Sequence, residues 1–98
     1  MTNDEYQVLL RSANNAVLYS FSNNEHKNGA GFYDKGVNHE LLKLKGHLHS
    51  HKYLDQDNEE DLCLHLTSVA ARALKALQLY LIEHPEFIEK YNKVIESE

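Results

Sequence analysis

The chain of 98 residues has a single cysteine, a single proline and no tryptophan. Because Cys63 has no second cysteine to pair with, no disulfide can form within the chain, which fits a reducing compartment. The first ten residues lack the basic and apolar regions of a signal peptide. No apolar run spans a membrane, since Arg72, Lys75 and Gln78 interrupt the most apolar segment, residues 69–82. We therefore expect a cytoplasmic protein with no membrane contact.

Positive charge is also scarce, with 10 lysines and arginines against 15 aspartates and glutamates and a net charge of −5. Non-specific binding to DNA or RNA depends on lysine and arginine displacing counterions, so we expect none. A chain of this length holds one modest core, and residues 1–98 are predicted to form a single domain. Because so small a core favours assembly with further copies, we also expect a homo-oligomer.

Apolar residues at helical spacing predict an all-α fold, a small antiparallel helical bundle. A capping box of Thr2 and Glu5 opens the first helix, which is predicted over residues 3–21. A hairpin turning at Asn14-Asn15 is the alternative for this segment. The polar, glycine-containing stretch 22–36 predicts a long loop between helices 1 and 2.

Three histidines at alternate positions, His47, His49 and His51, lie at the end of the second predicted helix, which begins near Val37. On a helix, His47 and His51 share the edge of the apolar face, whereas His49 points away from it. Only a strand would aim all three histidines the same way. Apolar and polar residues alternate in part of this segment, so a strand remains the alternative.

Start signals mark two further helices. Asp57 with Glu60, or Asn58 with Asp61, is predicted to cap the third helix, and Pro85 opens the fourth at its first position. The third helix is expected to be central, because its alanines let another helix approach closely. The residues of helices 2 and 3 that we expect to be buried are Leu44, Leu48, Leu66, Val69, Ala73, Leu77 and Tyr80.

Histidines and carboxylates of the second and third helices predict a metal site. If these helices pack antiparallel, His47, Asp57, Asp61 and His65 gather at one end of the bundle. Imidazole and carboxylate groups suit a divalent ion such as magnesium, manganese or zinc. In the alternative interpretation, the acidic residues only cap the third helix and the histidines are solvated.

Cationic, hydroxyl and aromatic groups predict a ligand site near the same end of the bundle. Lys45 and Arg72 are predicted to hold phosphates, and the Ser68 hydroxyl shares a helix face with Arg72. Tyr33 or Tyr53 is predicted to stack on a base. The acidic turn is no EF-hand, because it lacks the glycine and the final glutamate of that loop, and no phosphate-binding glycine loop occurs.

Several short elements together resemble a known family. They are, in chain order, Gly29-Ala30, Tyr33, Asn38, His47-Leu48, Asp55-x-Asp57-x-Glu59-x-x-Leu62, His65-Leu66, Val69-Ala70-Ala71 and Ala73-Leu74. Over roughly residues 8–82 this order resembles the small helical domain that phage genomes carry as the dATP/dGTP diphosphohydrolase N-terminal family. The chain departs from that pattern by an extra residue, Leu64, by a longer loop before Gly29 and by three substitutions. Gly46 stands where the family has arginine, His39 where it has an aromatic residue, and Ser68 where it has a second histidine.

The resemblance implies nucleotide chemistry, whereas the departures remove a phosphate contact and a metal ligand. We therefore expect a small, phage-encoded nucleotide-binding protein that sequesters a nucleotide signal of host defence, such as a cyclic oligonucleotide. One alternative is a metal-dependent (deoxy)nucleotide phosphohydrolase, in which the bound ion activates water. The other is a non-catalytic helical module for protein–protein interaction.

Overall fold

A computed structural model describes residues 1–28, 35–50 and 58–96. Within these ranges the chain forms five helices and no strand, so the all-α prediction is confirmed. Neither the hairpin at Asn14-Asn15 nor a strand through His47 and His49 forms. The helices are α1 (Asn3–Leu9), α2 (Arg11–Asn28), α3 (Gly36–Ser50), α4 (Glu59–Glu83) and α5 (Pro85–Glu96).

The first predicted helix is two helices. The Thr2 hydroxyl caps α1 by accepting a hydrogen bond from the Glu5 backbone N–H at 3.2 Å, as the capping box predicts. The helix ends at Leu10, whose backbone (φ −94°, ψ 3°) leaves the helical region. The next helix, α2, continues to Asn28, so the predicted loop over residues 22–36 was wrong for residues 22–28. Extending an existing helix costs far less than nucleating one, so even this polar segment continues it.

The starts of α3, α4 and α5 each follow from one residue. Gly36 opens α3 with φ +77°, a left-handed conformation that other residues rarely adopt. The Asn58 side chain accepts a hydrogen bond from the Asp61 backbone N–H at 3.2 Å and caps α4. Of the two predicted caps this is the one that forms, and Asp57 lies outside the described residues. Pro85 is the first residue of α5, as predicted.

The central helix is α4, on which α3 packs most extensively and α2 next. Two contacts fix the direction of α3 against α4: Glu40 meets Arg72, and His47 meets His65. Seven residues forward along α3 thus correspond to seven residues back along α4. The two helices are antiparallel, as predicted.

Few large apolar residues are buried. The buried apolar residues of the described chain are Val17, Ala71, Ala76 and Leu79, while Leu44 and Val69 are half-buried. The expected burial was wrong for the exposed residues Leu48, Leu66, Ala73, Leu77 and Tyr80. For the four residues of α4, the physical reason is that apolar residues surround much of this helix, whereas α2 and α3 cover only part of it. Leu48 lies about 80° around α3 from the buried Glu40. None of the helices in the described ranges is long and apolar enough to cross a bilayer.

Candidate functional site

A buried carboxylate lies at the centre of the contact between α3 and α4. The Glu40 side chain is fully buried, and its Oε2 accepts a hydrogen bond of 2.7 Å from Arg72 Nη1. Lys75 Nζ lies 3.0 Å from the other oxygen, Oε1, as an ion pair outside the angular range of a hydrogen bond. Arg72 and Lys75 are three residues apart and so lie on one face of α4. Glu40 therefore holds both cations against α3.

Two opposing effects set the pKa of Glu40. Burial raises this pKa, but the hydrogen bond from Arg72, the contact with Lys75 and their positive charges together outweigh burial. The net pKa lies below its ordinary value of 4.5, so Glu40 is an anion at neutral pH. One carboxylate neutralises only one of the two cations. The triad of Glu40, Arg72 and Lys75 consequently has a net positive charge. The Arg72 side chain is 30% exposed, so solvent reaches part of this charge.

Two histidine rings meet two helical turns away from Arg72. The ring centroids of His47 and His65 are 6.4 Å apart, with their planes at 74°. His65 is buried and His47 half-buried. Burial lowers the pKa of His47 below its ordinary value of 6.5, and the positive charges of Arg72, His65 and Lys43 lower it further. The surroundings of His47 are thus electropositive, although the whole chain carries a net charge of −5.

The structure brings three of the predicted site residues, His47, His65 and Arg72, to the contact between α3 and α4. Ser68 is half-buried on α4, in the turn between His65 and Arg72. Lys45 is exposed and lies about 140° around α3 from Glu40, so it is not on the face that meets α4.

The predicted metal ligands are only partly described. Asp61 is exposed in the first turn of α4, one turn before His65. Asp57 lies outside the described residues, as do the predicted stacking residues Tyr33 and Tyr53. In the ranges that the structure describes, no three histidine, cysteine, aspartate or glutamate side chains converge as they would around a metal ion. The metal site therefore stays a prediction.

Sequence reasoning missed three residues that shape this site: Glu40, Lys43 and Lys75. Glu40 shares a helical stripe with Leu44 and His47, and a charged residue within an apolar stripe signals a buried ion pair. That spacing could have identified Glu40. Nothing local to α3 indicates which residues of α4 it meets, because that depends on the register between the two helices.

A second concave surface lies on α1, away from these residues. It is shallow and open, with a volume of about 350 Å³, and is lined by Met1, Asp4, Glu5, Val8 and Leu9. Its walls are mainly apolar, and its two charged groups are acidic, so it suits no phosphate. None of the predicted site residues that the structure describes lies there. The candidate site is accordingly the electropositive face between α3 and α4.

Comparison of the chain with protein-family models, curated proteins and solved structures gives no match. The resemblance to the dATP/dGTP diphosphohydrolase N-terminal family therefore rests on the short sequence elements alone and stays a prediction. Function has to be argued from the chemistry of the site itself.

Proposed function

We propose that the chain binds a nucleotide through its phosphates at the electropositive face between α3 and α4. The observation that carries this proposal is the buried Glu40, which holds two cations, Arg72 and Lys75, in place beside one carboxylate. A positive group fixed in advance binds an anion without the entropic cost of ordering a long side chain. His47 and His65 extend the same face by two helical turns.

The geometry suits a ligand with more than one phosphate. Arg72 uses one guanidinium nitrogen on Glu40, and a guanidinium has five N–H donors in all. Its partly exposed edge can therefore donate to a phosphate while the pair with Glu40 persists. Seven residues of α4 separate Arg72 from His65, a distance of about 10.5 Å along the helix axis, with Ser68 in the turn between them. A single phosphate does not span that distance.

The charge around His47 favours an anion over a cation. Besides burial, the positive charges of Arg72 and Lys43 lower the pKa of this residue, so they oppose any further positive charge beside it. A bound phosphate would reverse that effect and raise the pKa of His47. A divalent metal at His47 and His65 would need carboxylates to offset the same repulsion. Asp57 and Asp61 would have to supply them, so metal-dependent hydrolysis is a separate prediction.

We further propose that binding occurs without turnover in the cytoplasm, as sequestration of a nucleotide signal of host defence requires. The resemblance to a phage family supports this part of the proposal. The electropositive site supports only the binding of an anion.

Titration calorimetry with dATP, dGTP, a cyclic dinucleotide and inorganic phosphate, with and without chelator, tests this proposal. Lys43 and Lys45 offer a matched pair of variants, because they lie two residues apart on different faces of α3. We expect Lys43→Gln to weaken nucleotide binding about tenfold and Lys45→Gln to change it little. The absence of binding heat for every ligand would contradict the proposal. Chelator-sensitive conversion of the recovered nucleotide would favour the phosphohydrolase instead.

A second candidate function, the helical interaction module, is favoured by one specific observation. Many large apolar residues of the described chain are exposed on several helices, among them Leu9, Tyr19, Leu42 and Leu66 at 55% or more. Large exposed apolar patches on a soluble protein mark sites of protein–protein contact. Protein–protein contact and nucleotide binding use different faces of this chain and are compatible.

A further inference from the structure

One face of α4 carries apolar residues in the pattern of a coiled coil. The residues are spaced by three, four, three, four and three positions, and this spacing aligns them along one side of a helix. Every one of them is exposed, including Leu66 at 58%, Leu77 at 50% and Tyr80 at 43%. We call this face the outer seam of α4. It consists of Cys63, Leu66, Ala70, Ala73, Leu77 and Tyr80.

The outer seam faces away from α2 and α3. The Tyr80 ring at its end lies beside Phe87 of α5, at 6.3 Å between ring centroids. At 100° per residue, Leu77 lies about 140° around α4 from Arg72, which contacts Glu40 on α3. The buried residues Ala76 and Leu79 lie on the same side of α4 as Arg72. Both α3 and α2 therefore leave the outer seam uncovered.

The total accessible surface of the chain leaves room for a further partner. The accessible surface is 7891 Å², whereas a folded monomer of 11.3 kDa exposes about 5,700 Å². The radius of gyration is 15.4 Å, against about 12.6 Å for a compact domain of this length. The excess of about 2,200 Å² exceeds the roughly 800 Å² that each partner buries in a standard protein interface. One further chain packed on the seam would bury about a third of that excess.

The residues that flank the seam indicate what kind of chain covers it. Charged groups at such positions usually select the partner of a coiled coil. Here the flanking residues carry no charge until the last turn of α4, where Glu83 stands. A partner chosen by opposite charge would find little to pair with, whereas a second copy meets no repulsion along the seam. The uncharged flanking residues are Thr67, Val69, Leu74, Ala76 and Leu81.

We propose that two copies of the chain pack their outer seams together antiparallel, about a twofold axis between Ala70 and Ala73. In this register Ala70 meets Ala73 of the second copy, and these small residues let the helix axes approach closely. Leu66 then meets Leu77 of the second copy. Cys63, which is small, meets Tyr80, which is large, so the side-chain volumes complement each other along the seam.

The direction of the pair follows from the ends of α4. A parallel pair would bring together the acidic first turns of both copies, each with Glu59, Glu60 and Asp61. It would also align the two helix dipoles, which repel when parallel. The antiparallel pair separates the acidic turns by the length of the helix. This proposal does not depend on nucleotide binding, because the seam and the Arg72 face lie on different sides of α4.

Light scattering of the full chain at micromolar concentration tests whether the chain dimerises through the outer seam. Leu66→Lys and Leu64→Lys are the matched variants. The two leucines lie in the same turn and are similarly exposed, at 58% and 61%, but only Leu66 belongs to the seam. We expect a dimer for the wild type and for Leu64→Lys. The twofold symmetry places two lysines in the contact of Leu66→Lys, so its dissociation constant should rise at least about a hundredfold. A monomeric wild type, or equal dissociation of both variants, would overturn the proposal.

Oxidative cross-linking tests whether the two α4 helices of the dimer run antiparallel. It does not require a variant that dissociates the dimer. Cys63 and Tyr80 are 17 positions apart, about 25 Å along one helix, too far for a disulfide within the chain. In the antiparallel register, Tyr80→Cys should give a disulfide-linked dimer on a non-reducing gel, and the wild type should not. A linked wild type would show a parallel pair through Cys63, and an unlinked Tyr80→Cys would exclude the antiparallel register.

Discussion

Replacing Glu40 by glutamine removes the negative charge from the centre of the contact between α3 and α4 while nearly keeping the size of the side chain. The change leaves Arg72 and Lys75 side by side with no carboxylate between them. Removing one partner of a buried ion pair costs about 3–5 kcal/mol. Arg72 is 30% exposed and can regain water. We therefore expect a smaller loss, about 2–4 kcal/mol in the free energy of unfolding.

For a domain of this length, such a loss lowers the midpoint of thermal unfolding by on the order of 10 °C or more. Circular dichroism at 222 nm would follow unfolding by heat and by urea. Glu89→Gln on α5 is the matched control, because Glu89 is an exposed glutamate outside the triad. An effect of Glu40→Gln within about 0.5 kcal/mol of this control would refute the argument that the triad orders the site.

The pH dependence of that difference gives a second check on the same reasoning. Glu40 has a pKa below 4.5 in the folded chain. Its contribution to the free energy of unfolding is therefore complete above the pKa that Glu40 has in the unfolded chain, and it is lost as the pH falls through the lower pKa of the folded chain. The gap in stability between wild type and Glu40→Gln should therefore be largest near neutral pH and shrink in acid. A double-mutant cycle with Arg72→Gln should show a coupling of about 1–3 kcal/mol.

Three further substitutions probe His47 and the two glycines of α3. Stability should fall as pH drops below 6.5, because His47, with its lowered pKa, binds fewer protons when folded than when unfolded. His47→Gln should reduce that fall between about pH 7.5 and 5 in thermal unfolding, and an unchanged slope would contradict the assigned shift. Gly36→Ala should destabilise the fold by about 1–2 kcal/mol because its φ is +77°, whereas Gly46→Ala, inside α3 with open space around it, should stabilise it by about 0.5–1 kcal/mol. Urea unfolding compares the two glycine variants directly. Equal effects on stability would contradict the left-handed backbone conformation of Gly36.

Local signals in the sequence were enough to find the helices. Thr2, Asn58 and Pro85 mark helix starts through their own hydrogen bonds or fixed backbone angles, so neighbouring residues determine them. The break at Leu10 and the extension of α2 to Asn28 were not predicted. The extension follows from the low cost of lengthening an existing helix, which apolar periodicity does not report.

The site was harder to predict than the helices. His47, His65 and Arg72 could be grouped because their faces follow from helical spacing, once an antiparallel pair was assumed. Lys75 and Lys43 enter through the register between α3 and α4, which becomes clear only when Glu40 meets Arg72. The apolar surface was misjudged for a similar reason. A stripe such as Leu66, Ala73 and Leu77 is the same in sequence whether it packs inside one chain or between two.

The central claim is that the face of α3 and α4 around His47 is electropositive and binds an anion. The most direct measurement is an NMR titration of the His47 ring, assigned with His47→Gln, in the free protein and with saturating dATP. The pKa of His47 should lie below 6.5 in the free protein and rise when the nucleotide binds. The nucleotide should leave the resonance of His49, exposed on another face of α3, unchanged. A pKa of His47 at or above 6.5 in the free protein, or one that saturating nucleotide does not move, would contradict the account.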